Sequence, residues 1–133
     1  MRNVLLIMTA TFMLLSCATD RSAQKSFAEI YNDYNKYLRW GEFDQLSLYV
    51  SESIYDEFRK RVKDLKDVRV VDIRELKMDY DEIHGKAEVD VEIDYYYPSS
   101  LQLRTIEDTQ QWVYIKEDGV LIWRLETLPP EFK

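Results

Sequence analysis

Apolar residues follow three patterns along this chain: an unbroken block, then a spacing of three and four, then alternation. The block covers 4–15 (VLLIMTATFMLL) and contains no ionisable side chain. Phe27, Ile30, Tyr31, Tyr34 and Leu38 recur at the spacing of one buried helix face. Ser26-Phe27-Ala28-Glu29 fits a capping box opening that helix, and Gly41 suits its end. A short second helix is predicted over 43–50, burying Phe43, Leu46 and Val50. A third begins near Ser51 or Ser53 and places Tyr55, Phe58, Val62 and Leu65 on one stripe.

After Asp67 the period becomes two. The first strand is predicted over 68–78, with a bulge or slip where Val70-Val71 interrupts the alternation. In the second, Ala87, Val89, Val91, Ile93 and Tyr95 alternate with Glu88, Asp90, Glu92 and Asp94, so one face is buried. The third and fourth are predicted over 101–116 and 120–128, with Asp118-Gly119 as the hairpin signal between them. A two-residue turn there pairs Tyr114 with Trp123 and Trp112 with Leu125, whereas a three-residue loop pairs Val113 with Trp123. A slip of one residue turns every side chain to the other face. Trp123 faces inward in both registers if Leu121 and Leu125 do.

The three glycines and three prolines all fall at these element boundaries. Helices followed by strands joined through short turns give an α+β fold, N-terminal helices packed on a four-stranded antiparallel sheet. The order and lengths resemble the NTF2-like superfamily (SnoaL and ketosteroid-isomerase type), a cone in which a strongly bent sheet wraps a long first helix. "WGEFDQLSLYVSESIYDEF" (40–58) is similar to that superfamily's helix–turn–short-helix segment, and "QQWVYIKEDGVLIWRLETLPPEF" (111–132) to its closing hairpin. In wording, that tail also resembles small uncharacterised proteobacterial lipoproteins.

The apolar block changes the picture of where the domain resides. Arg2 followed by the block has the layout of a secretory signal. Twelve helical residues span about 18 Å and the whole of 1–16 about 24 Å, short of the roughly 30 Å of bilayer hydrocarbon. Leu14-Leu15-Ser16-Cys17 resembles the bacterial lipobox, and Cys17 is the single cysteine of the chain. The resemblance implies that the Cys17 thiol receives a diacylglyceryl group and that the chain is cut before it. Thiolate is a strong side-chain nucleophile near neutral pH, which suits it to that alkylation. The blander readings are an ordinary signal with an incidental cysteine, or a packed thiol. One cysteine cannot form an internal disulfide. Ala18, rather than Asp, after the cysteine implies the periplasmic face of the outer membrane in a diderm cell. The expected organisation is therefore a signal peptide over 1–16, a lipidated cysteine and tether over 17–25, and an NTF2-like domain over 26–133.

Acidic and basic residues number 25 and 18, for a net charge of −7. That excess argues against general nucleic-acid binding, which works by neutralising phosphates. The row Glu88, Asp90, Glu92 and Asp94 reads as a solvated face partly balanced by cross-strand Arg or Lys. Same-face neighbours about 6.8 Å apart on one strand cannot close a calcium cage, so no metal is expected. Arg59, Lys60, Arg61, Lys63 and Lys66 form a basic patch, opposed locally by Asp64, at the end of the third helix, where cations favour the helix dipole. Contact with anionic lipid or an envelope polyanion is the functional alternative. His84 precedes a turn glycine and has no assigned role. No hydrolase arrangement, phosphate loop or zinc spacing is present in the sequence, and no cofactor is implied.

Ten tyrosines and three tryptophans remain. Tyr34, Tyr95, Trp112 and Trp123 are candidates to line an aromatic pocket of the kind the superfamily resemblance implies, or to fill a core. The expected function is a lipid-anchored, non-enzymatic binding or scaffold module at the cell envelope. Its partners would be the membrane, through acyl chains on Cys17, and an envelope protein or a small apolar ligand. The alternative is an NTF2-like isomerase or hydratase acting on a small apolar substrate. Activity carried over from the resemblance alone would be analogy.

Overall fold

The computed structural model describes residues 16–133, with side chains from Ser22 onward. The lipobox positions Leu14 and Leu15 lie outside the described residues; Ser16 and Cys17 enter only as backbone. Helix α1 spans Ser16–Trp40, so it already runs through the expected capping box, and Ser26 is internal. The Trp123 indole N–H donates to the Ala23 carbonyl at 3.0 Å, tying this part of the helix to the sheet. Phe27, Tyr31, Tyr34 and Leu38 are buried along one side, as their spacing predicts.

The short helix α2 (Phe43–Leu46) runs into a 3-10 turn at Ser47–Tyr49 instead of continuing to Val50. Val50 instead makes a parallel bridge to Leu125, and the Ser51 N–H donates to the Leu125 carbonyl at 2.9 Å. Helix α3 (Tyr55–Val62) is flanked by 3-10 turns at Glu52–Ile54 and Lys63–Leu65. Phe58, Val62 and Leu65 are buried. Tyr55, expected on the same stripe, is exposed; it sits at the start of α3 with the Arg59 guanidinium over its ring.

Strands β1 (Arg69–Asp81), β2 (Lys86–Tyr96), β3 (Arg104–Glu117) and β4 (Val120–Leu125) form one antiparallel meander in sequence order. α1 packs against β1 and β4, so this is an α+β fold with three helices on a four-stranded sheet that does not close on itself. β1 is bulged twice, at Val71 and Leu76, which have no partners in the register with β2. Each bulge resets the phase of the strand. Val70 and Ile73 can then both face inward, as can Met78 and Tyr80, while Asp72, Arg74, Lys77 and Asp79 face outward.

The β3–β4 hairpin adopts the two-residue register, pairing Tyr114 with Trp123 and Trp112 with Leu125. Asp118 and Gly119 have φ of 50° and 80°, the doubly left-handed conformation whose twist matches the hairpin's strands. β4 stops at Leu125, three residues before its predicted end. The tail 126–133 then crosses to β2: the Tyr95 hydroxyl donates to the Lys133 carbonyl at 2.8 Å, and the Phe132 ring stands against Tyr95 at 4.8 Å.

Candidate functional site

The four aromatic candidates are all core residues. Tyr34, Tyr95, Trp112 and Trp123 are each at most 1 % exposed. Tyr34 meets Trp112 edge to face at 5.5 Å, and Phe27 bridges Trp112 and Trp123 at 6.0 and 4.9 Å. Tyr95 is separate, in a cluster with Tyr97 and Phe132 at the other end of the sheet. The structure thus brings three of the four together around Phe27 and leaves the fourth under the C-terminal tail.

Beside this cluster the inner face of β3 turns polar. Gln110 is fully buried and bonded at both ends of its amide: its Nε2 donates to the Asn35 Oδ1 at 2.8 Å, and its Oε1 accepts from the Trp112 indole at 3.3 Å. The Asn35 Nδ2 in turn donates to the Tyr31 carbonyl at 2.9 Å. This relay fixes β3 to α1 at a point where a bare buried amide would be costly.

Two residues earlier on the same face lies Asp108, opposite Val91. Burial alone pushes its carboxyl up to about 7. Its charge adds to the burial that drives the Tyr34 phenol well above its ordinary value. Asp108 borders an open cleft of about 420 Å³ with Ile106, Glu107, Pro129, Glu131 and Lys133. A carboxyl titrating near neutrality at a cleft can give or take a proton. Sequence reasoning missed it. Its signal was the hairpin register: with Trp112 inward, period two places Gln110 and Asp108 inward as well.

The outer face carries the carboxylate row. The Arg74 guanidinium holds Glu92 at 2.6 Å, Asp94 at 2.7 Å and Asp72 at 2.9 Å. That contact, with the Thr105 hydroxyl at 2.6 Å, pulls the Asp94 carboxyl down to about 2. The Thr109 hydroxyl donates to Asp90, and the Gln111 amide to Glu88. A second open cleft, of about 450 Å³, lies against Asp79, Asp81, Lys86, Glu88, Gln111 and Glu126. Among the described residues, no three His, Cys, Asp or Glu side chains are grouped to hold a metal ion.

In the basic patch, Arg61 is taken by Glu57 and Glu131 at 3.1 and 3.0 Å, so the opposition is larger than Asp64 alone. His84 has a partner that the sequence did not reveal: its Nδ1 lies 2.7 Å from Asp81, whose other oxygen accepts the His84 backbone N–H. These contacts draw the Asp81 carboxyl below its usual value and fasten the β1–β2 turn. Among the described residues no helix is long and apolar enough to cross a membrane. No protein-family model matches the chain, and no curated protein matches it.

Proposed function

We propose that this chain is a lipid-anchored lipoprotein of the cell envelope whose NTF2-like domain is a non-enzymatic binding or scaffold module. The observation that carries the module reading is the filled interior: Tyr34, Tyr95, Trp112 and Trp123 occupy the volume a small apolar ligand would need. Helices packed on an antiparallel meander, with bulges in β1, support the NTF2-like cone as the finer description. The anchor rests on the lipobox: acyl chains on Cys17 would bury roughly 0.8 kcal/mol per methylene in a bilayer, and two or more chains give stable attachment. Ala18 supports an outer-membrane location facing the periplasm. Cys17→Ser is expected to leave an uncleaved precursor that takes up no labelled palmitate. Normal cleavage and labelling of that variant, or a mature chain with a bare thiol, overturns the anchor.

Asp108 favours a second reading, an enzyme of isomerase or hydratase type. An inward carboxyl near Tyr34, titrating near neutrality beside a cleft, is suited to proton transfer on a small substrate. Crosslinking in intact cells separates the two readings. A partner held equally by the wild type and Asp108→Asn supports the module. Turnover of a small apolar compound, abolished in Asp108→Asn although the compound still binds, supports the enzyme.

A further inference from the structure

Three features meet at one end of the molecule. Ala23 of α1 accepts the Trp123 indole, so the start of the helix lies against β4 near the hairpin. Gly85 of the β1–β2 turn accepts the Tyr114 N–H at 2.8 Å, which docks that turn on β3 at the level of Trp123. A Cβ on Gly85 would stand 3.3 Å from the Cβ of Tyr114, so the approach is close. Beyond this level β2 no longer pairs with β3, and the hairpin projects past the rest of the sheet. From Tyr114 to Glu117 it advances about 10 Å, and from Ala23 back to Cys17 the helix advances about 9 Å.

The β4 side of the projecting tip is apolar on both faces, while Lys116 and Glu117 stand opposite on β3. Val120, Leu121 and Ile122 are consecutive, so no register can hide them on one side. Val120 is 63 % and Leu121 54 % exposed, and Ile83 in the adjoining turn is 91 % exposed. The acid nearest them on β3, Glu117, is held by Arg124 through two bonds of 3.0 and 2.9 Å, which lowers its pKa and neutralises its charge. Asp118 at the apex would keep the tip from passing the head groups. The described part of α1 reaches back to Ser16 at this same end, so a lipid carried by Cys17 would be held there.

We infer that Ile83, Val120 and Leu121 form a membrane-docking tip that rests in the head-group layer of the bilayer holding the anchor, fixing the domain's orientation upon it. This rests on the lipid-anchor reading above. Burying three such side chains at an interface adds to the anchor's attachment, and its main consequence is orientation. A tethered domain without the tip would tumble; with it, the sheet stands end-on and the opposite end, with Leu101, points away.

The test uses the full chain, purified as the membrane-bound form and reconstituted into phosphatidylethanolamine–phosphatidylglycerol vesicles containing nitroxide-labelled lipid. An environment-sensitive fluorophore is placed at Leu121→Cys or Leu101→Cys, acylated Cys17 being closed to the label. Quenching several-fold stronger at position 121 than at 101 is expected. It should be lost in Ile83→Glu/Val120→Glu, whose exposed changes leave thermal unfolding intact. Equal weak quenching at both positions overturns the docking tip, as does protection at 121 that depends on protein concentration and not on lipid, the mark of a second copy. Mass spectrometry of the N-terminal peptide reads the anchor separately. Acyl mass with no quenching at 121 sinks the tip and spares the anchor, and a bare Cys17 thiol sinks both.

Discussion

Strand β2 presents two different materials on its two faces. Val89, Val91 and Ile93 are fully buried on the inner face, while Glu88, Asp90, Glu92 and Asp94 meet solvent on the outer one. Stability on the inner face depends on shape, since each removed atom leaves a void and forfeits its contacts. On the outer face it depends on charge that water and salt screen, so substitutions there are expected to be cheap. β3 breaks the division by turning Gln110 and Asp108 inward. The first is closed by a relay to α1; the second lies beside a cleft. Packing is complete where α1 covers the sheet and gives way to titratable chemistry where the tail does.

The sharpest test of the inner face is Trp123→Ala. It removes contacts with Phe27, Tyr80 and Tyr114 and the bond to Ala23, and an expected loss of about 3–5 kcal/mol is readable by urea unfolding. Gln110→Ala comes next. It strips the Trp112 indole and Asn35 of a partner, for about 1–3 kcal/mol, whereas a typical outer-face change should not approach that figure.

Asp108→Asn would invert the sign. The folded state raises this carboxyl from 3.8 to about 7, so it holds its proton more tightly than the unfolded chain does. Wild-type stability should therefore fall as pH rises from about 4 to 7 and level off above. The variant should lack that slope and be more stable at pH 8 by on the order of 1 kcal/mol, allowing for solvent screening.

On the outer face, Arg74→Ala removes the cation that holds Asp94 near 2. Asp94 then no longer contributes the stability that is present above about pH 4 and lost as pH falls towards 2. Acid titration of unfolding should show a shallower acid limb, with a neutral-pH deficit that narrows in high salt. The smallest effect is expected of Glu107→Gln, within about 0.5 kcal/mol; a larger loss would break the contrast between the faces.

Much of this was legible in residue spacing. The stripe from Phe27 to Leu38, the inner residues of β2 and the bulge at Val71 follow from period and phase. The second bulge was harder. Ile73 is out of phase with Leu76, Met78 and Tyr80, but the sequence does not say which residue is squeezed out, and in the fold it is apolar Leu76. Ahead of Ser26, α1 makes a contact 100 residues away in sequence, between Trp123 and Ala23, which no local pattern reports. Asp108 stayed hidden because Ile106 is the one apolar residue of β3 before Trp112, so inward and outward acids look alike until pairing with β2 fixes them. The aromatic candidates were the reverse case: composition drew attention to them, and volume explains them.

Among the described residues, β1 has no partner strand along its outer edge of thirteen residues, an invitation to edge-to-edge stacking of molecules. Its two squeezed-out residues make the invitation hard to accept. A recruit lying along this margin would have to carry matching irregularities at the same two places, or lose hydrogen bonds at each. Crowded copies of the domain are thereby discouraged from seeding a fibril.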